Sequence, residues 1–283
     1  MTAREHEGRV AVVTGVGTGS LGEAIAGSLR ELGFRVLTST RTCATTADTH
    51  ALELTSRDSV AEFVRWVQES TDRLDVLVNN AGVHLDLRSA WHEPHLVDGM
   101  EVHWRTNYLG TAQLTRLLLP LLLATAEEHA DARVVNVVSK LHARGRNDGL
   151  DGHLTPYDSW TAYGTSKLAL VHEAREIDRR YGDRGLHAYS VHPGSVSTNI
   201  ADRGLETAPL LGRLRKLAAP LERRALKTPA TAAQTVVFCA TSPHAEPGGY
   251  HRSSVPTTPS EDAQDEEAGR ILWDNTSRWC GAG

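Results

Sequence analysis

Four apolar residues, Val10-Ala11-Val12-Val13, run straight into Thr14-Gly15-Val16-Gly17-Thr18-Gly19-Ser20-Leu21-Gly22, and an amphipathic stretch follows. A continuous apolar run without alternation predicts a strand covered on both faces, as in a parallel sheet. Leu21, Ile25, Leu29 and Leu32 then form one helical stripe, and Gly33 stands where it can cap the helix. Strand, glycine-rich turn and helix in this order let backbone N–H groups at a helix start receive a pyrophosphate. Two registers are open. Gly17-x-Gly19-x-x-Gly22 matches the general dinucleotide fingerprint, whereas Thr14-Gly15 with Gly19 fits a different glycine pattern with one extra residue.

The rest of the chain repeats the alternation. Further strands are expected at Arg35 to Ser39, Ala51 to Leu54, Leu74 to Val78, Arg133 to Val138, Leu186 to Val191 and near Gly248 to His251. Apolar stripes between them predict helices, including long ones at Gly99 to Ala126 and Thr161 to Arg180, one at Thr228 to Ala240 and a terminal one at Glu261 to Trp279. For that last helix, Ile271, Leu272 and Trp279 are the expected apolar contacts. Neither a repeat nor a Pro/Gly-rich linker divides the chain, so the fold class is α/β: one doubly wound domain with a mostly parallel, roughly seven-stranded sheet and helices on both faces. Residues 9–198 form its core, and 199–227 is an irregular, partly basic segment suited to a lid over a substrate.

Chemistry-bearing residues gather at the expected carboxyl ends of strands, where open parallel sheets bind ligands. Asn80-Ala81-Gly82 follows the fourth strand and Ser139 the fifth; Pro193-Gly194-Ser195-Val196-Ser197-Thr198 follows the sixth. Tyr163 and Lys167 lie one helical turn apart, where a fixed cation favours the phenolate and draws its pKa toward the working range. The second strand ends in Thr40-Arg41 with no acid. A guanidinium there can form a forked contact with a ribose 2′-phosphate, which favours NADP(H) over NAD(H).

Bulk properties narrow the partners. The chain has 283 residues and a formal net charge of −5, which argues against nucleic acid or an anionic membrane surface as partner. Its three cysteines, Cys43, Cys239 and Cys280, show no metal-ligand spacing and read as reduced thiols. The N-terminal residues are polar, and the longest apolar run, Leu117 to Ala126, is too short to span a bilayer. A soluble, cytoplasmic protein is the expectation.

Taken together, these motifs resemble the short-chain dehydrogenase/reductase family, in the extended-loop form of retinol-dehydrogenase-like and WW-domain oxidoreductase-like members. The resemblance runs from Arg9 to about Trp279 and rests on Thr14-Gly15…Gly19…Gly22, Asn79-Asn80-Ala81-Gly82, Asn107-Tyr108-Leu109-Gly110, Ser139, Tyr163-x-x-x-Lys167 and Pro193-Gly194-x-Val196-x-Thr198. It implies that Tyr163 is the general acid or base, that Lys167 lowers its pKa and binds the nicotinamide ribose, that Ser139 holds the carbonyl oxygen, and that Asn107 supports a water relay. It also implies a cofactor cradle of Thr14, Gly15, Gly17, Thr18, Gly19, Ser20, Leu21 and Gly22. Glu53, Leu54, Asn80 and Ala81 would lie near the adenine and Val196 and Thr198 at the carboxamide, with Gly82, Pro193 and Gly194 also binding the cofactor. The glycine turn is one residue longer than the usual pattern, Glu53 stands where aspartate is commoner, and the interval from Ser139 to Tyr163 is longer than in compact members. The expected activity is NADP(H)-dependent hydride transfer to or from a carbonyl or alcohol of a small to medium, apolar molecule. Two alternatives are non-redox acid/base chemistry, as in an isomerase or cyclase, and a catalytically silent cofactor-binding regulator. A homodimer or homotetramer through the two long helices is implied, and no metal.

Overall fold

The apolar runs become strands because each is buried on both faces: all four residues of β1 (Val10–Val13) and of β4 (Val76–Asn79) are buried. The computed structural model describes residues 6–41, 46–86, 90–194 and 228–280. Its other strands are β2 (Arg35–Thr40), β3 (Thr49–Ala51), β5 (Leu96–Val97), β6 (Met100–Glu101), β7 (Ala132–Val137), β8 (Leu186–His192), β9 (Tyr250–Arg252) and β10 (Val255–Pro256). β5 and β6 pair as a separate hairpin; the other eight form one sheet in the order β10-β9-β8-β7-β4-β1-β2-β3. Every neighbouring pair in it is parallel except β9 with β10. The antiparallel edge strand takes the count one beyond the expected seven.

Strand order reverses between β1 and β4, so their carboxyl ends splay apart and open a crevice. Helices α1 (Leu21–Glu31) and α5 (Pro229–Thr241) cover one face; α2 (Arg57–Ser70), α3 (Gly110–His129) and α4 (Ser159–Tyr181) cover the other. On the first face Ile25 and Leu29 pack with Val36, Val76 and Val236; on the second Phe63, Val67, Leu114 and Leu118 pack with Leu37 and Leu77. Each such side chain contributes about 1.5–3 kcal/mol by leaving water.

Several elements depart from the sequence-based expectation. β3 ends at Ala51, because its register sets Thr38 opposite Thr49 and Thr40 opposite Ala51; Leu52, Glu53 and Leu54 lie past the strand end. The helix expected from Gly99 starts later. Asp98 and Gly99 both have positive φ and close the two-residue turn between β5 and β6, a backbone shape that Asp-Gly favours. A π-helical turn, Trp104–Leu109, follows and leads into α3 at Gly110. That helical stretch, Trp104–His129, is long and apolar enough to cross a membrane by length and composition, although 61% of its most apolar window is buried inside the fold. The interval after β7 holds 3-10 turns at Lys140–Arg144 and Asn147–Gly149, and α4 begins at Ser159.

The terminal segment is a 3-10 turn, Asp262–Gln264, and then α6 (Glu266–Cys280). Leu272 and Trp273 are its buried apolar contacts, whereas Ile271 is 52% exposed. Trp273 lies between two guanidinium groups, Arg116 at 3.5 Å and Arg180 at 4.8 Å from the ring centre. α6 therefore covers part of the α3 and α4 surface through which self-association was expected.

Candidate active site

A cleft of about 550 Å³ opens at the carboxyl ends of the strands. It is lined by Gly15, Val16, Gly17, Thr18, Ser20 and Leu21 after β1, by Thr40 and Arg41 after β2, and by Leu52, Glu53 and Leu54 after β3. Asn80 to Val83, Thr106, Val137 to Ser139, Tyr163, Lys167 and His192 to Gly194 complete it. Thr14, Gly19, Gly22 and Asn107 do not line it. Val196, Thr198 and the expected lid at 199–227 lie outside the described residues. A second, slightly larger surface cavity lies between α4 and α6, away from the strand ends.

The glycine turn is held from below. The Thr14 hydroxyl accepts from the amides of Asn80 and Ala81, both at 3.0 Å, while the Asn80 side chain donates to the Thr14 and Gly15 carbonyls at 2.8 and 3.3 Å. Ser39 supports the other side: its hydroxyl and carbonyl accept from the amides of Gly15 and Val16. Thr14 and Asn80 thus tie the ends of β1 and β4 together. At the start of α1, Ser20 caps the helix by accepting from Glu23 N at 3.1 Å, and the Glu23 carboxylate accepts from Gly19 N at 2.6 Å. The amides of Thr18, Leu21 and Gly22 have no hydrogen-bond partner among the described residues. A Cβ at Gly17 would meet nothing within 4 Å. An open backbone with unpaired amides at a helix start fits the pyrophosphate of a dinucleotide.

The catalytic candidates stand on β7, α4 and the π-helical turn. The Tyr163 hydroxyl lies on the side of the Ser139 hydroxyl, near enough for Ser139 to favour the phenolate. Ser139 also caps the following 3-10 turn, accepting from Leu141 N at 3.2 Å. Lys167 Nζ donates to the Val137 carbonyl at 3.1 Å. An ammonium has three N–H donors, so two remain for a ligand hydroxyl or water. Asn107 is fully buried behind Lys167: it clamps Val83, accepting from its N–H at 2.7 Å and donating to its carbonyl at 2.9 Å, and donates to Ser166 Oγ at 3.1 Å. A Cβ on Gly82 would lie 3.1 Å from Asn107 Oδ1 and 3.3 Å from Lys167 Nζ.

Burial governs the ionisation of the pair. It pushes the Tyr163 phenol up to about 12, against the downward pull of the Ser139 hydroxyl. It pushes the Lys167 ammonium down to about 8. The expected lowering of the phenol by Lys167 is therefore not what the protein alone displays: Nζ sits 5.9 Å from the ring centre and points to a backbone carbonyl.

At the other end of the cleft, Arg41 is exposed and makes no ion pair among the described residues. The Glu53 side chain turns back on its own loop, accepting from Thr55 N at 3.1 Å and Thr55 Oγ1 at 2.9 Å. Three site neighbours carried no sequence signal of their own. Arg105 holds the cleft edge by donating to the Leu54 and Thr55 carbonyls at 3.0 and 2.6 Å. His84 and His103 pack beside Tyr163.

Comparison with known proteins agrees with this geometry. Residues 9–208 match the short chain dehydrogenase family, and the chain belongs to it. It is 32% identical to mouse (Mus musculus) retinol dehydrogenase 13, over 97% of this chain and 84% of that protein. It is 35% identical to mouse polyprenol dehydrogenase, over 98% and 85% of the respective lengths. Among solved structures, an uncharacterized protein from Mycobacterium paratuberculosis superposes with a TM-score of 0.69 at 26% identity, covering 99% of this chain and 97% of that one. The protein is an oxidoreductase of the retinol-dehydrogenase-like kind within that family, and it uses a nicotinamide cofactor.

Proposed function

We propose that this protein catalyses NADP(H)-dependent interconversion of a carbonyl and an alcohol on an apolar molecule. The observation that carries this reading is the convergence of Ser139, Tyr163 and Lys167 on one end of a cleft whose other end is an open glycine turn. Two relatives are named for retinol and polyprenol, both apolar alcohols, which favours a substrate of that class. Arg41, exposed at the end of β2 with no acid beside it, favours the 2′-phosphorylated cofactor.

When bound, the cofactor supplies or accepts the hydride. In the direction of reduction, negative charge develops on the substrate oxygen, and donors placed there lower the barrier. Ser139 holds that oxygen through its hydroxyl, and Tyr163 delivers the phenolic proton to it. Lys167 stabilises the phenolate that results, and Asn107 keeps Val83 and the backbone behind the lysine in place. In the direction of oxidation, Tyr163 takes the alcohol proton. All of these residues act on proton position and charge.

The test follows NADPH absorbance with a panel of aldehydes, ketones and quinones, including retinaldehyde. Tyr163→Phe should abolish turnover while binding NADPH normally; turnover equal to that of the parent protein would remove Tyr163 from the proton step. Arg41→Ala should weaken NADPH by about tenfold or more, the loss of one charge-assisted contact, and leave NADH nearly unchanged. Equal losses on both cofactors would refute the phosphate contact.

A further inference from the structure

Arg105 is a buried cation that spends its donors on backbone. The carboxylate paired with it among the described residues, Asp98 at 3.7 Å, is mostly exposed and lies beyond hydrogen-bond reach. Its guanidinium donates instead to the Leu54 carbonyl at 3.0 Å and the Thr55 carbonyl at 2.6 Å. A charged group taken out of water is costly unless it is hydrogen-bonded, so the place of Arg105 answers to this one loop. Leu52 N donates to the Thr40 carbonyl at the end of β2. Past that point the loop bonds to itself and to the start of α2: Glu53 N to Ser59 Oγ, Ser56 N to the Glu53 carbonyl, and Thr55 to the Glu53 carboxylate. Those bonds shape the loop without placing it against the rest of the fold. At Leu54 and Thr55, the hydrogen bonds from elsewhere among the described residues are those of Arg105.

The turn that carries Arg105 reaches both ends of the cleft. The Gly110 N–H donates to the Arg105 carbonyl five residues back, the bond that closes a π-helical turn. This spacing sets Gly110 beneath Arg105 on one side of the helix, and Gly110 also meets the loop: a Cβ there would lie 2.1 Å from the Leu54 carbonyl oxygen. An α-helical turn would set Leu109 there, with a side chain where the loop now fits. Thr106 lines the cleft itself. Asn107, next along, turns to the catalytic end, where it clamps Val83 and donates to Ser166, the neighbour of Lys167.

We propose that Arg105 is a positioning residue for the cofactor: it fixes the Leu54–Thr55 backbone, and with it the adenosine end of the cleft, at a set distance from the nicotinamide end built by Asn107 and Lys167. Arg105 does not line the cleft, so it acts through the loop and not by touching the ligand. Leu52, Glu53 and Leu54 form the cleft wall at the end away from Tyr163 and Lys167, which is where the adenosine half lies when the nicotinamide meets the catalytic residues. Without the guanidinium the loop keeps its internal bonds but loses its tie to the helix, and its edge moves out into water. The adenosine half then loses a preformed wall, while the nicotinamide half keeps its own.

This inference rests on the cofactor reading and not on the reaction, and its test separates the two halves of the cofactor. The full chain is titrated by calorimetry with NADPH, with 5′-AMP and with reduced nicotinamide mononucleotide. In Arg105→Gln the Kd values for NADPH and 5′-AMP should each rise by about tenfold or more, whereas that for the mononucleotide should hold within about twofold. An unchanged 5′-AMP affinity overturns the proposal. So does a loss of mononucleotide affinity as large as that of 5′-AMP, which would mark a general loosening of the fold. If the glutamine variant does not fold, Arg105→Lys decides by the same comparison, because a single ammonium cannot reproduce the fork on two carbonyls. A selective loss of 5′-AMP supports the positioning role, and equal affinities or equal losses refute it. 5′-AMP carries no 2′-phosphate and no turnover is measured. A parent protein that binds both halves yet prefers NADH, or reduces none of the carbonyls tried, still returns these affinities, so failure of the proposed reaction and failure of this inference are distinguishable.

Discussion

Gly22→Ala puts two opposing effects of similar size against each other at the cofactor turn. In an unconstrained helix interior, alanine is better than glycine by about 1 kcal/mol. Here a Cβ would lie 2.5 Å from the Gly15 carbonyl oxygen and 2.7 Å from Asn80 Nδ2. Neither neighbour can yield cheaply. The first is backbone, and the second is tied to the Thr14 and Gly15 carbonyls. Relief requires the first turn of α1 to retreat from the ends of β1 and β4 by several tenths of an ångström. Overpacking of this kind costs about 1–3 kcal/mol, so with neighbours this rigid the clash outweighs the propensity gain by up to about 2 kcal/mol. For a chain of this size that lowers Tm by roughly 2–4 °C per kcal/mol. The same retreat carries away the unpaired amides of Leu21 and Gly22, and NADPH affinity should fall by about tenfold or more. Gly17→Ala is the control: its Cβ meets nothing within 4 Å, so Tm should hold. Calorimetry and NADPH fluorescence titration read both quantities. A raised Tm with normal NADPH binding in Gly22→Ala would refute the close approach, and with it the register in which Gly15 and Gly22, not Gly17, are the structurally required glycines.

Other outcomes follow from the same geometry. Gly164→Ala places a Cβ 2.6 Å from the Leu141 carbonyl and 2.9 Å from Gly145 N, forcing α4 away from the turn that begins at Ser139. Turnover should drop by about ten- to a hundredfold while NADPH binding is kept, and unchanged kinetics would show that the Ser139–Tyr163 spacing does not depend on this contact. Glu173 is fully buried 4.0 Å from Arg116, and burial pushes its carboxyl up to about 7 despite the pull of that arginine. An acid whose folded pKa lies above its unfolded value costs stability as pH rises between the two, with the full cost above the folded value. Chemical denaturation should therefore find Glu173→Gln more stable than the parent at pH 8, by up to about 3 kcal/mol, with the gap closing toward pH 4.5. A loss of stability at pH 8 would mean instead that the carboxylate is a charged partner Arg116 requires. Asn107→Ala, which takes from Val83 N and O their side-chain partner, should lower Tm by several degrees in calorimetry; an unchanged Tm would show that this clamp adds nothing to stability.

What the sequence displays is whatever local chemistry dictates. Val10–Val13 and the glycine turn announce a buried parallel strand feeding a helix, because a continuous apolar run and a helix-period stripe are short-range patterns. The carboxyl-end placement of Asn80, Ser139 and Pro193 follows once the strands are known. The hairpin turn at Asp98-Gly99 reads from sequence as a helix start, because the apolar residues after it suit a helix and the short β5–β6 pair has no periodicity to betray it. The register of β3 was not legible at all. Its three residues pair with β2 only through Thr38, Ser39 and Thr40, so nothing in Thr49 to Leu54 itself marks where pairing ends. The hidden part of the site is of the same nature. His84 meets Tyr163 across 79 positions of sequence, and the ties that press them together come from Glu101, His103, Asn107 and Ser159. No spacing rule connects them.

The ionisation of Tyr163 and Lys167 shows why such ties matter. A tyrosine one turn from a lysine suggests, on spacing alone, a phenolate stabilised by a cation. In the folded chain desolvation acts on both groups and favours the neutral form of each, pushing the phenol up to about 12 and the ammonium down to about 8. The fold thus does not arrange a resting ion pair, which would hand the donor's proton away before any substrate arrived. It arranges a protonated phenol with His84 stacked on one face, and beside it an ammonium with one backbone acceptor among the described residues. Charge appears only when the proton leaves Tyr163, and the ammonium is then the nearest cation to receive the phenolate. Binding of a hydroxyl-bearing ligand to the ammonium's other donors raises the lysine's pKa and strengthens its hold on that phenolate. On the proposed reading cofactor occupancy and acid strength are coupled through Lys167, which is itself buried while Tyr163 opens onto the cleft.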